Sequence, residues 1–144
     1  MEVIPGIPAL AAAAALLGAP LMHDFAVISL SDLMTPWEVI RTRVEAALKA
    51  DLVLVIYNPR SKKRDWQLKE VRNLILKHRG EGVPVGIVRN AARANEEVRV
   101  VEIGQMDEMI IDMLSILLIG NSQTRMVGGK MVTPRGYLEK YGKE

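Results

Sequence analysis

The sequence contains no cysteine and only two histidines in 144 residues. Without cysteine there is no disulfide framework and no thiol chemistry, and a reducing compartment is compatible with that. Two histidines alone make a poor zinc set, so no metal is expected. A glycine-rich phosphate loop is also missing. Neither the Walker spacing nor GxGxxG occurs, which argues against a nucleotide or hydride enzyme confined to this chain. Residues 9–17 are strongly apolar but too few to span a bilayer, and Glu2 stands where a signal peptide would carry basic residues. The net charge of +2 and pI near 9.0 are too weakly basic to imply nucleic acid. No internal repeat or low-complexity linker divides the chain.

What is present reads as one α/β domain covering residues 1–144. The composition, 49% hydrophobic and 25% charged, suits a packed core. The organising stretch is Leu52-Val53-Leu54-Val55-Ile56-Tyr57-Asn58-Pro59-Arg60. Five large apolar residues with no polar alternation predict a strand buried on both faces, the habit of parallel strands in α/β proteins. Pro59 cannot donate to a ladder, so the strand ends there. The same form recurs where residues 84–88 run into Arg89-Asn90-Ala91, and where residues 115–119 run into Gly120-Asn121-Ser122-Gln123. Each run ends in a loop bearing asparagine, which tolerates the left-handed region and offers a donor and an acceptor. Ligands of open α/β sheets lie outside the carboxyl ends of the strands, so these loops are expected to carry the chemistry. The fold expected is three-layered, with a mixed, mostly parallel sheet of about five strands.

Other elements follow from local signals. Residues 8–18 read as a helix, with Pro8 in its first turn and Gly18 at its end. Residues 1–6 read as the tail of a strand and a turn, as in a piece of something longer. Residues 25–30 read as a strand. Thr35-Pro36-Trp37-Glu38 reads as a capping box opening a helix that buries Val39, Ile40, Val44, Ala47 and Leu48. A second amphipathic helix is expected over 65–78, burying Leu68, Val71, Leu74 and Ile75. Residues 98–103 alternate like an edge strand. Residues 106–113 read as a short helix with Met109, Ile110 and Met113 inward. Val127-Gly128-Gly129-Lys130 signals a hairpin, and residues 138–144 a charged tail. Most of the eight methionines are expected as core filler, and Trp37 and Trp66 as packing residues.

Two clusters are open to more than one reading. Arg60-Ser61-Lys62-Lys63-Arg64 carries four positive charges in five residues, either as a solvated loop or as an anion-binding one. His23-Asp24 is either a general-base pair or a hydrogen-bonded turn.

Seven segments in order add a resemblance. They are Val3-Ile4-Pro5-Gly6-Ile7-Pro8-Ala9, Leu21-Met22-His23-Asp24-Phe25, Ile28-Ser29-Leu30-Ser31-Asp32-Leu33, Tyr57-Asn58-Pro59-Arg60-Ser61, Val88-Arg89-Asn90-Ala91, Gly120-Asn121-Ser122-Gln123-Thr124 and Thr133-Pro134-Arg135-Gly136-Tyr137. Together they resemble the tetrapyrrole methylase family, and within it the cobalamin-biosynthetic branch that methylates C-17 of a precorrin. The resemblance implies the C-terminal domain of a two-domain, cytoplasmic, homodimeric methyltransferase. Its missing N-terminal domain would carry a glycine-rich loop, with S-adenosylmethionine in the cleft between the two. It implies cofactor-binding roles for Tyr57, Asn58, Asn90, Ala91, Gly120, Asn121 and Ser122. Ser29, Ser31 and Asp32 would face the tetrapyrrole, and Arg60, Lys62, Lys63 and Arg89 would meet its carboxylates. His23 and Asp24 would be catalytic, moving a proton during the ring contraction that accompanies methylation. Neither nucleic acid nor a membrane is an expected partner. The alternative is a non-catalytic ligand-binding or dimerisation module on the same scaffold.

Overall fold

The structure, a computed structural model, describes residues 1–136; residues 137–144, with the expected charged tail, lie outside the described residues. Helix α1 (Ala9–Leu17) leads into the short β1 (Gly18–Ala19), then β2 (Phe25–Ser29), α2 (Trp37–Lys49), β3 (Val53–Tyr57) and α3 (Trp66–Arg79). Strands β4 (Pro84–Arg89) and β5 (Glu97–Glu102) follow. Two single 3-10 turns, Ile103–Gln105 and Glu108–Ile110, precede β6 (Ser115–Ile119), and β7 (Arg125–Val127) and β8 (Lys130–Val132) close the described chain. Residues 1–8 join no strand, contrary to the expected strand tail.

The main sheet has the order β2-β3-β6-β4-β5. Only β2 and β3 are parallel; the β3–β6, β6–β4 and β4–β5 pairs are all antiparallel. The mixed sheet is therefore mostly antiparallel, not mostly parallel. The long apolar runs have another cause, which is helix cover on both faces. Leu54, Ile56, Leu117 and Ile119 pack against α2 and α3, while Val55, Ile116 and Leu118 pack against Ala13 and Leu17 of α1. This is the expected three-layer arrangement. Because β3 and β4 both oppose β6, they point the same way. One edge of the sheet gathers the carboxyl ends of β3 and β4 with the amino end of β6. The opposite edge holds the carboxyl end of β6.

A second sheet, β1-β8-β7, lies beside the first. Its hairpin turns at Gly128 and Gly129, whose φ angles of 56° and 76° suit the tight turn that the Gly-Gly pair signalled. Trp37 and Trp66, at the starts of α2 and α3, meet edge to face at 5.0 Å, as packing residues do.

Three local expectations change. Thr35 does not cap α2. The N-cap position falls on Pro36, with no side-chain hydrogen bond, so the box is one residue out of register. Val39 is exposed, and the helix buries Ile40, Val44, Ala47 and Leu48. Residues 106–113 form one 3-10 turn instead of a helix. Asp107 accepts the Met109 N–H at 2.9 Å and Asp112 that of Leu114 at 2.9 Å, and such local bonds compete with helix propagation. Met106 and Ile111 turn inward, while Met109, Ile110 and Met113 are exposed. Among the described residues no helix is long and apolar enough to cross a membrane, and no group of three His, Asp or Glu side chains could hold a metal ion.

Gly86 sets how closely α1 approaches the sheet. A β-carbon there would run into the side chain of Leu17, which is buried. Gly86→Ala should cost about 1–3 kcal/mol in urea unfolding by overpacking. Leu17→Ala alone should cost about 2–5 kcal/mol. The double variant should lose less than the two losses added, because the smaller side chain makes room. Strict additivity would count against the contact.

Candidate functional site

A cavity of about 810 Å³ opens where β3 and β4 end. One wall is the alanine face of α1, including Ala12, Ala15 and Leu16. The other is built from Tyr57-Asn58, Asn90-Ala91-Ala92 and Met113-Leu114-Ser115-Ile116, with Arg93 and Glu96 among the lining residues. Asn58, Asn90 and Ala92 hold φ angles of 49°, 53° and 57°. Asparagine enters that region readily, whereas for alanine it costs roughly 1–2 kcal/mol. Ala92 is held there in part by its N–H, which donates to Glu96 Oε2 at 2.6 Å. The Asn90 N–H donates to Leu114 O at 3.1 Å, tying the end of β4 to the start of β6.

Tyr57 fixes the helical wall. Its hydroxyl accepts the Leu10 N–H at 2.8 Å, a donor in the first turn of α1 that no side chain of the N-cap, Pro8, could satisfy. Asn58 donates its amide to Ser29 Oγ at 2.9 Å, which brings Ser29 to the same edge. Ser29 Oγ also accepts the Ser31 N–H at 3.2 Å.

The three asparagine loops do not converge. Tyr57, Asn58, Asn90 and Ala91 share the cavity edge. Gly120, Asn121 and Ser122 lie at the opposite edge, because β6 runs against β3 and β4. There Asn121 donates to Asp51 O at 3.1 Å, and the Ser122 N–H and hydroxyl both donate to the Asp51 carboxylate, at 3.0 and 2.5 Å. Arg79 donates to Gly120 O and to Leu52 O, each at 2.6 Å. Burial lowers the Arg79 pKa from its ordinary value, and Asp51 partly restores it. His23 and Asp24 sit at this second edge too, at the entry to β2. His23 Nδ1 accepts the Asp24 N–H at 2.7 Å, and both side chains are exposed. The geometry is that of the hydrogen-bonded turn.

The basic hairpin divides its charges. Arg64 is buried and donates to Leu30 O and Asn58 O at 2.5 and 2.8 Å, with Asp32 at 3.9 Å. Asp32 also accepts from Gln67 at 2.8 Å. Arg60 donates to Glu108 O at 3.1 Å. Arg89 donates to Asp112 at 2.9 Å and lies 3.7 Å from Glu97. Among the described residues Lys62 and Lys63 have neither hydrogen bonds nor ion pairs, and both are exposed. Met113, Leu114 and Ser115 line the cavity, although the sequence pattern read Met113 only as a core residue and Ser115 only as the start of a strand. The direction of β6 brings them there, and Asp112 holds the turn by accepting from both Leu114 N–H and Ser115 Oγ.

The family pattern of Tetrapyrrole (Corrin/Porphyrin) Methylases matches residues 1–107. A probable cobalt-factor III C(17)-methyltransferase of Salmonella typhimurium is 48% identical over 137 residues, covering 95% of this chain and 57% of the relative. A protein of the same name from Methanocaldococcus jannaschii is 45% identical, covering 98% of this chain and 59% of the relative. The chain covers 98% of its own length but only 26% of the cobalt-factor III methyltransferase of Priestia megaterium, at 48% identity. The crystal structure of the methyltransferase CobJ superposes with a TM-score of 0.87 and 37% identity, covering 92% of this chain and 56% of that one. A cobalt precorrin-4 methyltransferase shares the fold, with a TM-score of 0.62 at 20% identity. The chain thus spans 26% to 59% of the length of these curated relatives.

The Asp112 turn has a pH signature. Burial alone would raise this carboxyl's pKa, but hydrogen bonds from Arg89, Leu114 N–H and Ser115, with the Arg89 charge, hold it below the ordinary 3.8. A depressed carboxyl stabilises the fold above its unfolded pKa and loses that contribution as pH falls through the folded value. Asp112→Asn should therefore be less stable than wild type at neutral pH. The gap should stay constant down to about pH 4 and close below it. A gap that stays constant down to pH 2 in chemical denaturation would rule out the ion pair as its source.

Proposed function

Since the chain belongs to the tetrapyrrole methylase family, we propose that it forms part of a cytoplasmic, S-adenosylmethionine-dependent methyltransferase of cobalamin biosynthesis. The acceptor is C-17 of precorrin-3B or its cobalt form, and ring contraction accompanies the transfer. The names of its relatives support the substrate and position. Their greater length supports a further domain, the glycine-rich N-terminal one, completing the site. Met22, Phe25 and Val27, exposed at and before the edge strand β2, suit a homodimer contact.

The observation that carries the reading is the cavity of about 810 Å³ at the ends of β3 and β4. Its size is in the range of small-molecule and cofactor sites. Its make-up fits a nucleoside carrying an amino-acid tail. The alanine wall is apolar and lets a flat base approach closely, while Asn58, Asn90 and the adjoining backbone offer donors and acceptors. S-adenosylmethionine, when bound, supplies a methyl group on a sulfonium sulfur. The chain's own residues orient and exclude water: Tyr57 fixes α1, Asn90 joins β4 to β6, and Ala91, Leu114 and Ile116 line the pocket. Such positioning is the main demand of an in-line methyl transfer. Ser29, with Lys62 and Lys63, flanks this edge on the acceptor side. Asn121 and Ser122 hold Asp51, and His23 and Asp24 lie at that same far edge, so the proposal gives them no part in binding the methyl donor.

Calorimetric titration tests this. The isolated chain should bind S-adenosylmethionine more weakly than about millimolar, at most ~4 kcal/mol, since part of the site is supplied by the remaining domain. In the complete two-domain enzyme, Ala91→Trp should fill the pocket and raise Kd at least about tenfold, a loss of roughly 1.4 kcal/mol. Asn121→Ala should leave Kd within about twofold, below the roughly 1 kcal/mol expected for losing a hydrogen bond to the ligand. Weakening by Asn121→Ala with Ala91→Trp silent would move the donor to the other edge of the sheet.

A further inference from the structure

We propose that the exposed segment from Met109 to Leu114, together with the Lys62-Lys63 hairpin tip, is the surface on which the macrocycle lies. The methionine side chains pack on its apolar face and the two ammonium groups meet its acidic side chains. This rests on the reading of the chain as part of a tetrapyrrole methylase site and adds where on the chain the acceptor lies and what holds it.

Four large apolar side chains stand in water along this segment: Met109 is 74% exposed, Ile110 38%, Met113 47% and Leu114 51%. Methionine is flexible and polarisable, so an exposed pair of methionines adapts well to a broad apolar ligand. The segment is braced from below. Arg60 Nη2 lies 3.6 Å from Met109 Sδ and Arg64 Nη2 lies 3.4 Å from Met113 Sδ. Their other guanidinium contacts go to backbone carbonyls and, for Arg64, to the Asp32 carboxylate at 3.9 Å, so both arginines serve as supports. The charges left for a ligand are Lys62 and Lys63, which have no partner among the described residues. Between hairpin and segment lies a hollow of about 330 Å³. It shares Met113 and Leu114 with the cavity beyond, so the two spaces adjoin on either side of these residues. Apolar surface edged by two unpaired cations and lying beside the donor cavity complements a flat, polycarboxylate ring.

The probe is uroporphyrin, a polycarboxylate porphyrin whose ring current displaces the NMR signals of groups lying on its face. With methyl-labelled methionine in the 144-residue chain, uroporphyrin should shift the Met109 and Met113 methyl signals. Met22, before β2 on the far edge, and Met126, in the small sheet, should stay still. Replacing both lysines (Lys62→Gln, Lys63→Gln) should weaken uroporphyrin binding roughly two- to thirtyfold, the range expected from two exposed ion pairs, without changing the thermal unfolding midpoint. Binding that shifts other methionines, or that ignores the lysine substitutions, overturns the surface and leaves the methylase reading intact. If neither the chain nor the complete enzyme binds uroporphyrin, both fall together.

Discussion

Every residue of β6 is buried, and both of its neighbours run against it. A strand hydrogen-bonded on both sides and apolar on both faces has little in its own sequence to fix its register. A slip of one residue would exchange Leu117 and Ile119 for Ile116 and Leu118 between the two helix-covered faces. The ends supply what the middle lacks. At the start, the Asp112 carboxylate and the Ser115 hydroxyl close the turn. At the finish, Gly120 lies so close to Thr124 that a β-carbon could not be added without displacing it. Thr124 Oγ1 in turn accepts the Asn121 N–H at 2.9 Å. Pinned this way, β6 delivers its amino end, not its carboxyl end, to the cavity. The position of Leu114 and Ser115 beside Asn90 follows from that reversal.

The cations divide along a similar line. Arg64, Arg72 and Arg79 each donate to two backbone carbonyls: Arg64 to Leu30 and Asn58, Arg79 to Leu52 and Gly120, and Arg72 to the neighbouring Ile103 and Gly104 of one turn. Carbonyls at strand ends and turns lack ladder partners, and the planar, multi-donor guanidinium can satisfy several at once. These arginines therefore join β2 to β3, α3 to the first 3-10 turn, and the start of β3 to the end of β6. Net charge says little about ligands when so much of it is structural. Lys62 and Lys63, each with a flexible point charge, remain at the hairpin tip.

The extent and type of most elements were legible because runs such as Val53–Tyr57 and Ser115–Ile119 are unmistakably apolar, and α2 and α3 carry periodic faces. Strand direction was not, since five apolar residues read alike either way and helix cover on both faces mimics the parallel case. One clue was available. A parallel return from β4 to β6 calls for a crossover, usually a helix. Residues 90–114 instead offer an alternating strand and short turns. Pairing β4 with β5 antiparallel and then reversing into β6 fits that stretch. The same ambiguity of direction groups Gly120, Asn121 and Ser122 with Tyr57 and Asn90 in the sequence and hides the arrival of Met113, Leu114 and Ser115 at the cavity. The fate of Arg60 and Arg64 was hidden for a different reason. Their acceptors, including Leu30 and Glu108 carbonyls, are 34 and 48 residues away along the chain.

The cavity edge itself is poor in free titratable groups. The Tyr57 hydroxyl holds Leu10, Glu96 holds Ala92, and Arg89 and Asp112 hold one another. A site so engaged has little left with which to transfer protons, but its backbone and amides are fixed at every strand end. Rigidity of this kind suits a reaction whose barrier is reduced by holding two partners in line. It also explains why the strain at Ala92 is tolerated. The left-handed turn aims Ala91 and Ala92 into the pocket, and Glu96 supplies the bond that keeps them there. In the proposed arrangement the broad face of a macrocycle would be met by flexible thioethers on the neighbouring segment. Met113 and Leu114 line both hollows and, on that proposal, would stand between a rigid donor side and an adaptable acceptor side.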